Sequence, residues 1–99
     1  MLSRNACYAT APDVVLRRFD EWGRCYAYTP DPPQIHDLNM TAWLIVELCD
    51  GRPFSEIEVA YLDIVSPRTG LAAARQQFHA GFDTLLSYNI IGTAHDGSP

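Results

Sequence analysis

Apolar and polar positions follow two different periods along the chain. Residues 14–19, Val-Val-Leu-Arg-Arg-Phe, are β-branched and apolar, which predicts a strand. Asp20–Gly23 reads as a turn, with Gly23 supplying a permissive backbone. Residues 24–29 then alternate, Tyr26 and Tyr28 on one face and Cys25, Ala27 and Thr29 on the other, as a second strand forming a hairpin with the first. Pro30-Asp-Pro-Pro33 ends that strand. Residues 34–38 follow as a short third strand, placed by the prolines at a sheet edge, where backbone N–H and C=O groups stay unpaired.

The period changes at residue 39. Asn39 is a good N-cap, with Leu38 before it and Trp43 after it at the spacing of a hydrophobic staple. The helix it opens, about 40–50, is apolar on most sides through Ala42, Trp43, Leu44, Ile45, Val46, Leu48 and Cys49, which predicts a central position. Gly51 fits the residue just past its end, and Asp50 before it reads as turn chemistry. Ser55 followed by Glu58 has the form of a capping box, with Phe54 and Val59 as a second staple. Ile57, Ala60, Tyr61 and Ile64 make this second helix amphipathic, with its end expected before Pro67. A third helix is expected over about 70–88, with the stripe Leu71, Ala74, Phe78, Phe82, Leu85 and Leu86. Gly81 inside it costs about 1 kcal/mol relative to Ala and so predicts close packing there. Asn89 closes the helix in the left-handed conformation, and Ile90-Ile91 forms a brief final strand.

The predicted order is three strands, then three helices. The fold class read from it is α+β, a winged helix-turn-helix with a three-stranded antiparallel sheet followed by three helices. The 99 residues make one domain, with a core over 14–92 and loose ends at 1–12 and 93–99. A chain of this size buries one core but not a deep cleft as well, which favours a binding module over an enzyme.

Charge narrows the class further. The net charge is −5, and the seven basic residues, all Arg, are scattered, whereas nucleic-acid readers present a basic stripe. Cys7, Cys25 and Cys49 are an odd, widely spaced set without Cys-x-x-Cys, read as reduced thiols with Cys25 and Cys49 as apolar filler. The N-terminal MLSRNACYAT lacks the apolar run of a signal peptide, and no run approaches the roughly 20 residues of a membrane span. A cytoplasmic location and no membrane contact are expected.

No motif carries catalysis or metal binding. Asp20-Glu21 falls in a turn, and Glu56 and Glu58 lie in a helix's first turn, where acid suits the dipole; neither pair has a partner base. His36 and His79 have no ligand spacing. Trp22 at the hairpin tip has little core to join, so it either folds back over the sheet or meets a partner.

Leu38-Asn39, Thr41-Ala42, Ile45, Leu48-Cys49-Asp50-Gly51 and Ser55-x-Ile57 in this order resemble the PqqD family, small proteins of pyrroloquinoline quinone biosynthesis and related peptide pathways. The resemblance covers roughly 14–92; the TPDPP segment is longer than the family's usual connection. It implies a non-catalytic recognition element without cofactor. Such elements bind the leader of a ribosomally made, post-translationally modified precursor peptide and present it to a modifying enzyme, often a radical S-adenosylmethionine protein. The leader adds as a strand beside the third strand, in the groove between that strand and the third helix. Carried onto this chain, Gln34, Ile35, His36, Asp37 and Leu38 supply the edge. Leu71, Arg75, Phe78, His79 and Phe82 are the candidate groove wall, with Arg75 or Arg68 placed to pair with an acidic leader residue. Strand addition makes physical sense, because an edge strand's main-chain groups are satisfied by an extended peptide.

Two other classes compete. A winged-helix DNA-binding regulator needs a basic, polar start to its recognition helix, and Leu71-Ala72-Ala73-Ala74-Arg75 offers a single cation. A small enzyme lacks a motif. A homodimer through the sheet edge or the third helix would compete with a leader for the same surface.

Overall fold

The computed structural model describes residues 6–30 and 33–93. The chain is α+β. Its elements are β1 (Cys7–Thr10), β2 (Val15–Phe19), β3 (Arg24–Pro30), β4 (Pro33–Leu38), α1 (Met40–Leu48), β5 (Asp50–Pro53), α2 (Phe54–Thr69), α3 (Leu71–Ser87) and β6 (Ile91–Thr93). They form two antiparallel three-stranded sheets, β2-β3-β4 and β5-β1-β6, with the three helices.

The first sheet follows the alternation in the sequence. Asp20–Trp22 makes one 3-10 turn, and Gly23 completes the reversal at φ 63°, a conformation without steric cost for glycine. β4 pairs with β3 from Pro30↔Pro33 to Cys25↔Leu38 and, among the described residues, has no strand on its other side. It is the expected edge strand. Cys25, Ala27 and Leu38 point into the core.

The second sheet corrects the expected order of strands followed by helices. β5 falls between α1 and α2, β1 lies in the expected loose arm, and the expected final strand is present as β6, running from Ile91 on to Thr93. Cys7 pairs with Pro53, and Tyr8, Ala9 and Thr10 pair with Thr93, Gly92 and Ile91. The rest of the two expected flexible ends, 1–5 and 94–99, lies outside the described residues, as do Asp31 and Pro32 of the β3–β4 connection. Asp50-Gly51 is therefore strand rather than a simple helix stop. α1 ends at Cys49, whose N–H donates to the Ile45 and Val46 carbonyls, and Gly51 sits inside β5 at φ 103°.

Helix boundaries follow specific hydrogen bonds. Asn39 caps α1 as expected, its Oδ1 accepting from the Ala42 N–H at 2.8 Å. α2 starts one residue before the expected Ser55 cap: its Phe54 N–H donates to the Ala6 carbonyl at 2.9 Å. The Glu58 carboxylate pairs with His79 at 2.8 Å. Phe54 is buried while Val59 is exposed, so the second staple is absent. α2 also runs through Pro67 to Thr69. A proline so near the end removes one helical hydrogen bond, and the Gly70 N–H still closes the turn on the Ser66 carbonyl at 2.8 Å. α3 ends in a Schellman motif: Asn89 has φ 61°, its N–H reaches the Leu86 carbonyl, and the Ile90 N–H reaches that of Leu85.

The core gathers around aromatic rings. Phe82 lies 5.0 Å from both Tyr8 and Phe54, edge to face, and 5.6 Å from Phe78; Phe78 meets Tyr61 at 5.3 Å. These contacts join β1, α2 and α3, and each buried ring contributes about 1.5–3 kcal/mol. α3 meets α1 where Gly81 leaves no room for a side chain: a Cβ there would stand 2.9 Å from Ile45 Cδ1 and 3.2 Å from Thr41 Cγ2.

That contact is testable by a double-mutant cycle. Gly81→Ala gains about 1 kcal/mol of helix propensity but overpacks a site where such strain costs about 1–3 kcal/mol, so it is expected to destabilise. Ile45→Val alone costs about 1 kcal/mol. Urea unfolding of the double mutant is expected to show less loss than the sum of the singles, and strict additivity would contradict the contact.

Candidate functional site

The start and middle of β4 meet the end of α3: the His36 ring stacks on Tyr88 with centroids 4.5 Å apart, and Gln34 shares a cleft of about 350 Å³ with Ser87, Tyr88 and Asn89. Beyond the end of β4, Asn39, Thr41 and Ala42 share a second shallow cleft with Gln77, Ala80, Gly81 and Thr84. Gln77, Ala80, Gly81 and Thr84 thus form the flank of α3 that faces the start of α1, and Tyr88 continues it to β4. It is uncharged and mostly small. The Thr84 hydroxyl donates to the Ala80 carbonyl at 3.0 Å.

The five expected edge residues divide by the pleat. Gln34, His36 and Leu38 are opposite Thr29, Ala27 and Cys25, on the core side. Leu38 is buried, and His36 Nε2 lies 3.3 Å from the hydroxyl of buried Thr29. Ile35 and Asp37 point outward, and Asp37 sits 3.6 Å from Arg24. All five lie on β4, one of the two edge strands of its sheet.

The expected wall on α3 is corrected. Phe78 and Phe82 are wholly buried and belong to the aromatic cluster. Arg75 and His79 turn toward α2, where Glu58 receives the His79 ring at 2.8 Å and has Arg75 at 3.9 Å. Leu71 is exposed at the first position of α3, a helix length away from Tyr88. The reason is angular: once Phe78 and Phe82 face the core, residues 75 and 79 face the neighbouring helix. The α3 residues that face the start of α1 were marked in the sequence by small and polar side chains at 77, 80, 81 and 84, next to the apolar stripe. Arg68, the other expected partner of an acidic residue, lies in the last turn of α2, where a cation suits the helix end.

Thiol chemistry is confined by burial. Cys25 and Cys49 are buried and Cys7 is half-buried, and none forms a disulfide. Burial pushes the Cys49 thiol up to about 12, with the adjacent Asp50 carboxylate adding to the effect. Burial likewise raises Cys25. Asp50 is held below the usual carboxylate range by its two-pronged contact with Arg52, 2.9 Å at each oxygen. Among the described residues there is no group of three or more His, Cys, Asp or Glu placed to hold a metal ion, and no helix is long and apolar enough to cross a membrane.

Comparison of the chain with family models, curated proteins and solved structures finds no match.

The thiols give a direct check of this burial. Iodoacetamide at mildly alkaline pH is expected to label Cys7 in the native protein and to reach Cys25 and Cys49 only after denaturant. Native labelling of Cys49 would contradict the packing. The sign of the pH effect follows. The unfolded thiol ionises near 9.0 and the folded one near 12, so this contribution to stability is complete below 9.0 and is lost as pH rises toward 12.

Proposed function

We propose that this chain is a non-catalytic leader-peptide recognition module of the PqqD type. It binds the leader of a ribosomally made precursor peptide as a strand added along β4 and delivers it to a peptide-modifying enzyme, such as a radical S-adenosylmethionine protein. The reading is supported by the outer edge of β4, which no described strand pairs, with uncharged α3 residues near both of its ends, Tyr88 against His36 and Gln77, Ala80 and Thr84 in the cleft they share with Asn39. An edge strand offers main-chain groups to any extended peptide, and selection then falls to the wall. Ala80 leaves room for apolar leader side chains, and Gln77 and Thr84 offer hydrogen bonds.

In this reading β2–β4 with α1–α3 is a winged helix-turn-helix arrangement, and the β5-β1-β6 sheet ties its two ends together. The module acts in the cytoplasm, where the precursor is made. A DNA-binding regulator is the competing reading, and the start of α3 counts against it: Leu71, Ala72 and Ala73 are exposed there, and Arg75 already stands near Glu58.

The test is calorimetric titration with the leader of a precursor peptide encoded beside this chain's gene. Thr84→Arg and Ala80→Arg fill the wall at exposed positions and are expected to weaken binding at least about tenfold, or roughly 1.4 kcal/mol. Arg75→Ala, on the far flank, is expected to leave affinity within about twofold, about 0.4 kcal/mol on the same scale. Unchanged binding by both wall variants would overturn the site, and retention on duplex DNA without peptide binding would favour the regulator.

A further inference from the structure

The outer face of the β2-β3-β4 sheet is covered by no described residue, and it is not a polar face. The register sets Val15, Tyr28 and Ile35 in one cross-strand row, all exposed, with Ile35 64% and Val15 53% accessible. The next row is Arg17, Tyr26 and Asp37. Past it, Phe19 stacks on Trp22 at 5.5 Å, so the tip tryptophan does fold back, yet it remains 70% exposed. A half-solvated antiparallel sheet ordinarily alternates to polar on its outside, and contiguous exposed apolar side chains mark an interaction surface.

The charged row indicates what covers it. Its cation is on edge strand β2, its anion on edge strand β4, and the neutral Tyr26 lies between them on β3. Two such faces can meet about 10 Å apart with their strands aligned through either of two in-plane two-fold axes. An axis across the strands sets Arg17 on Arg17 and Asp37 on Asp37, a costly like-charge arrangement. An axis along β3 sets Arg17 of each copy on Asp37 of the other, Tyr26 on Tyr26, Tyr28 on Tyr28, and Val15 on Ile35. Arg24, also on β3, leans off that axis onto Tyr26 Oη at 3.0 Å and toward Asp37 at 3.6 Å, so in this arrangement Asp37 is shared between Arg24 and the other copy's Arg17.

From this polarity we infer that the outer sheet face binds a second copy of this chain, in an isologous dimer with its two-fold axis along β3. The dimer is weak and concentration-dependent, because three short strands present a plane of roughly 15 by 20 Å against about 800 Å² per partner in stable complexes. It uses outward side chains and leaves the main-chain edge of β4 open, so it stands independently of the leader-binding reading.

Charge reversal tests it. Arg17→Asp and Asp37→Arg alter exposed side chains, and circular dichroism with thermal melting verifies that both variants fold. In sedimentation equilibrium over a concentration series into the millimolar range, the unaltered chain is expected to dimerise reversibly. Each variant alone is expected to have its dissociation constant raised at least about tenfold. The two variants mixed are expected to form a one-to-one heterodimer, and the doubly reversed chain to dimerise again. A chain that stays monomeric throughout overturns the inference. So does dimerisation insensitive to both reversals, or a mixture that stays monomeric; either of these assigns the face to a different partner.

Discussion

The rest of the structure depends on the contact of Phe54, Phe78 and Phe82 with Tyr8. These rings lie within 5.0 to 6.3 Å of one another along the cluster. They fix three things at once: the separation of α2 and α3, the seat of β1, and the rotation of α3 about its own axis. The last matters most for the surface. With residues 78 and 82 committed inward, 75 and 79 fall toward Glu58 of α2, and 77, 80, 81 and 84 fall toward the end of β4. Gly81 then lets α3 close onto Ile45 and Thr41 of α1, which holds the edge strand and the helix flank in one frame.

The proposed site combines main-chain supply and side-chain restraint. In that proposal β4 contributes unpaired backbone to an extended peptide without reading its sequence, and α3 contributes an uncharged flank that selects by shape and hydrogen bonding. The His36–Tyr88 stack ties β4 to the end of α3.

Local chemistry made much of the fold legible. Asn39 caps α1, Asn89 adopts the left-handed conformation, Gly81 marks the close helix crossing, and the prolines put β4 at an edge, all as the sequence indicates. Each of these depends on neighbours a few residues away. β1 was hidden because its partners, β5 and β6, lie far along the chain, and Cys7–Thr10 has little periodicity of its own. The start of α2 was misread because a pairing with His79, remote in sequence, takes the Glu58 carboxylate. Periodicity and the prolines indicated the edge strand and the third helix, while the groove between them was implied by the PqqD resemblance alone; an apolar stripe says which residues are buried, not which neighbour each flank meets. Hence Phe78 and Phe82 were expected on the groove and Thr84 was not.

Strand addition along β4 is the central claim, and backbone amide NMR of the labelled chain during titration with the leader peptide tests it most directly. The account predicts saturable shifts and slowed amide exchange in residues 33–38, with companion shifts at Gln77, Ala80, Thr84 and Tyr88. Shifts confined to β2, to the α2 flank around Glu58, or to the second sheet would contradict it.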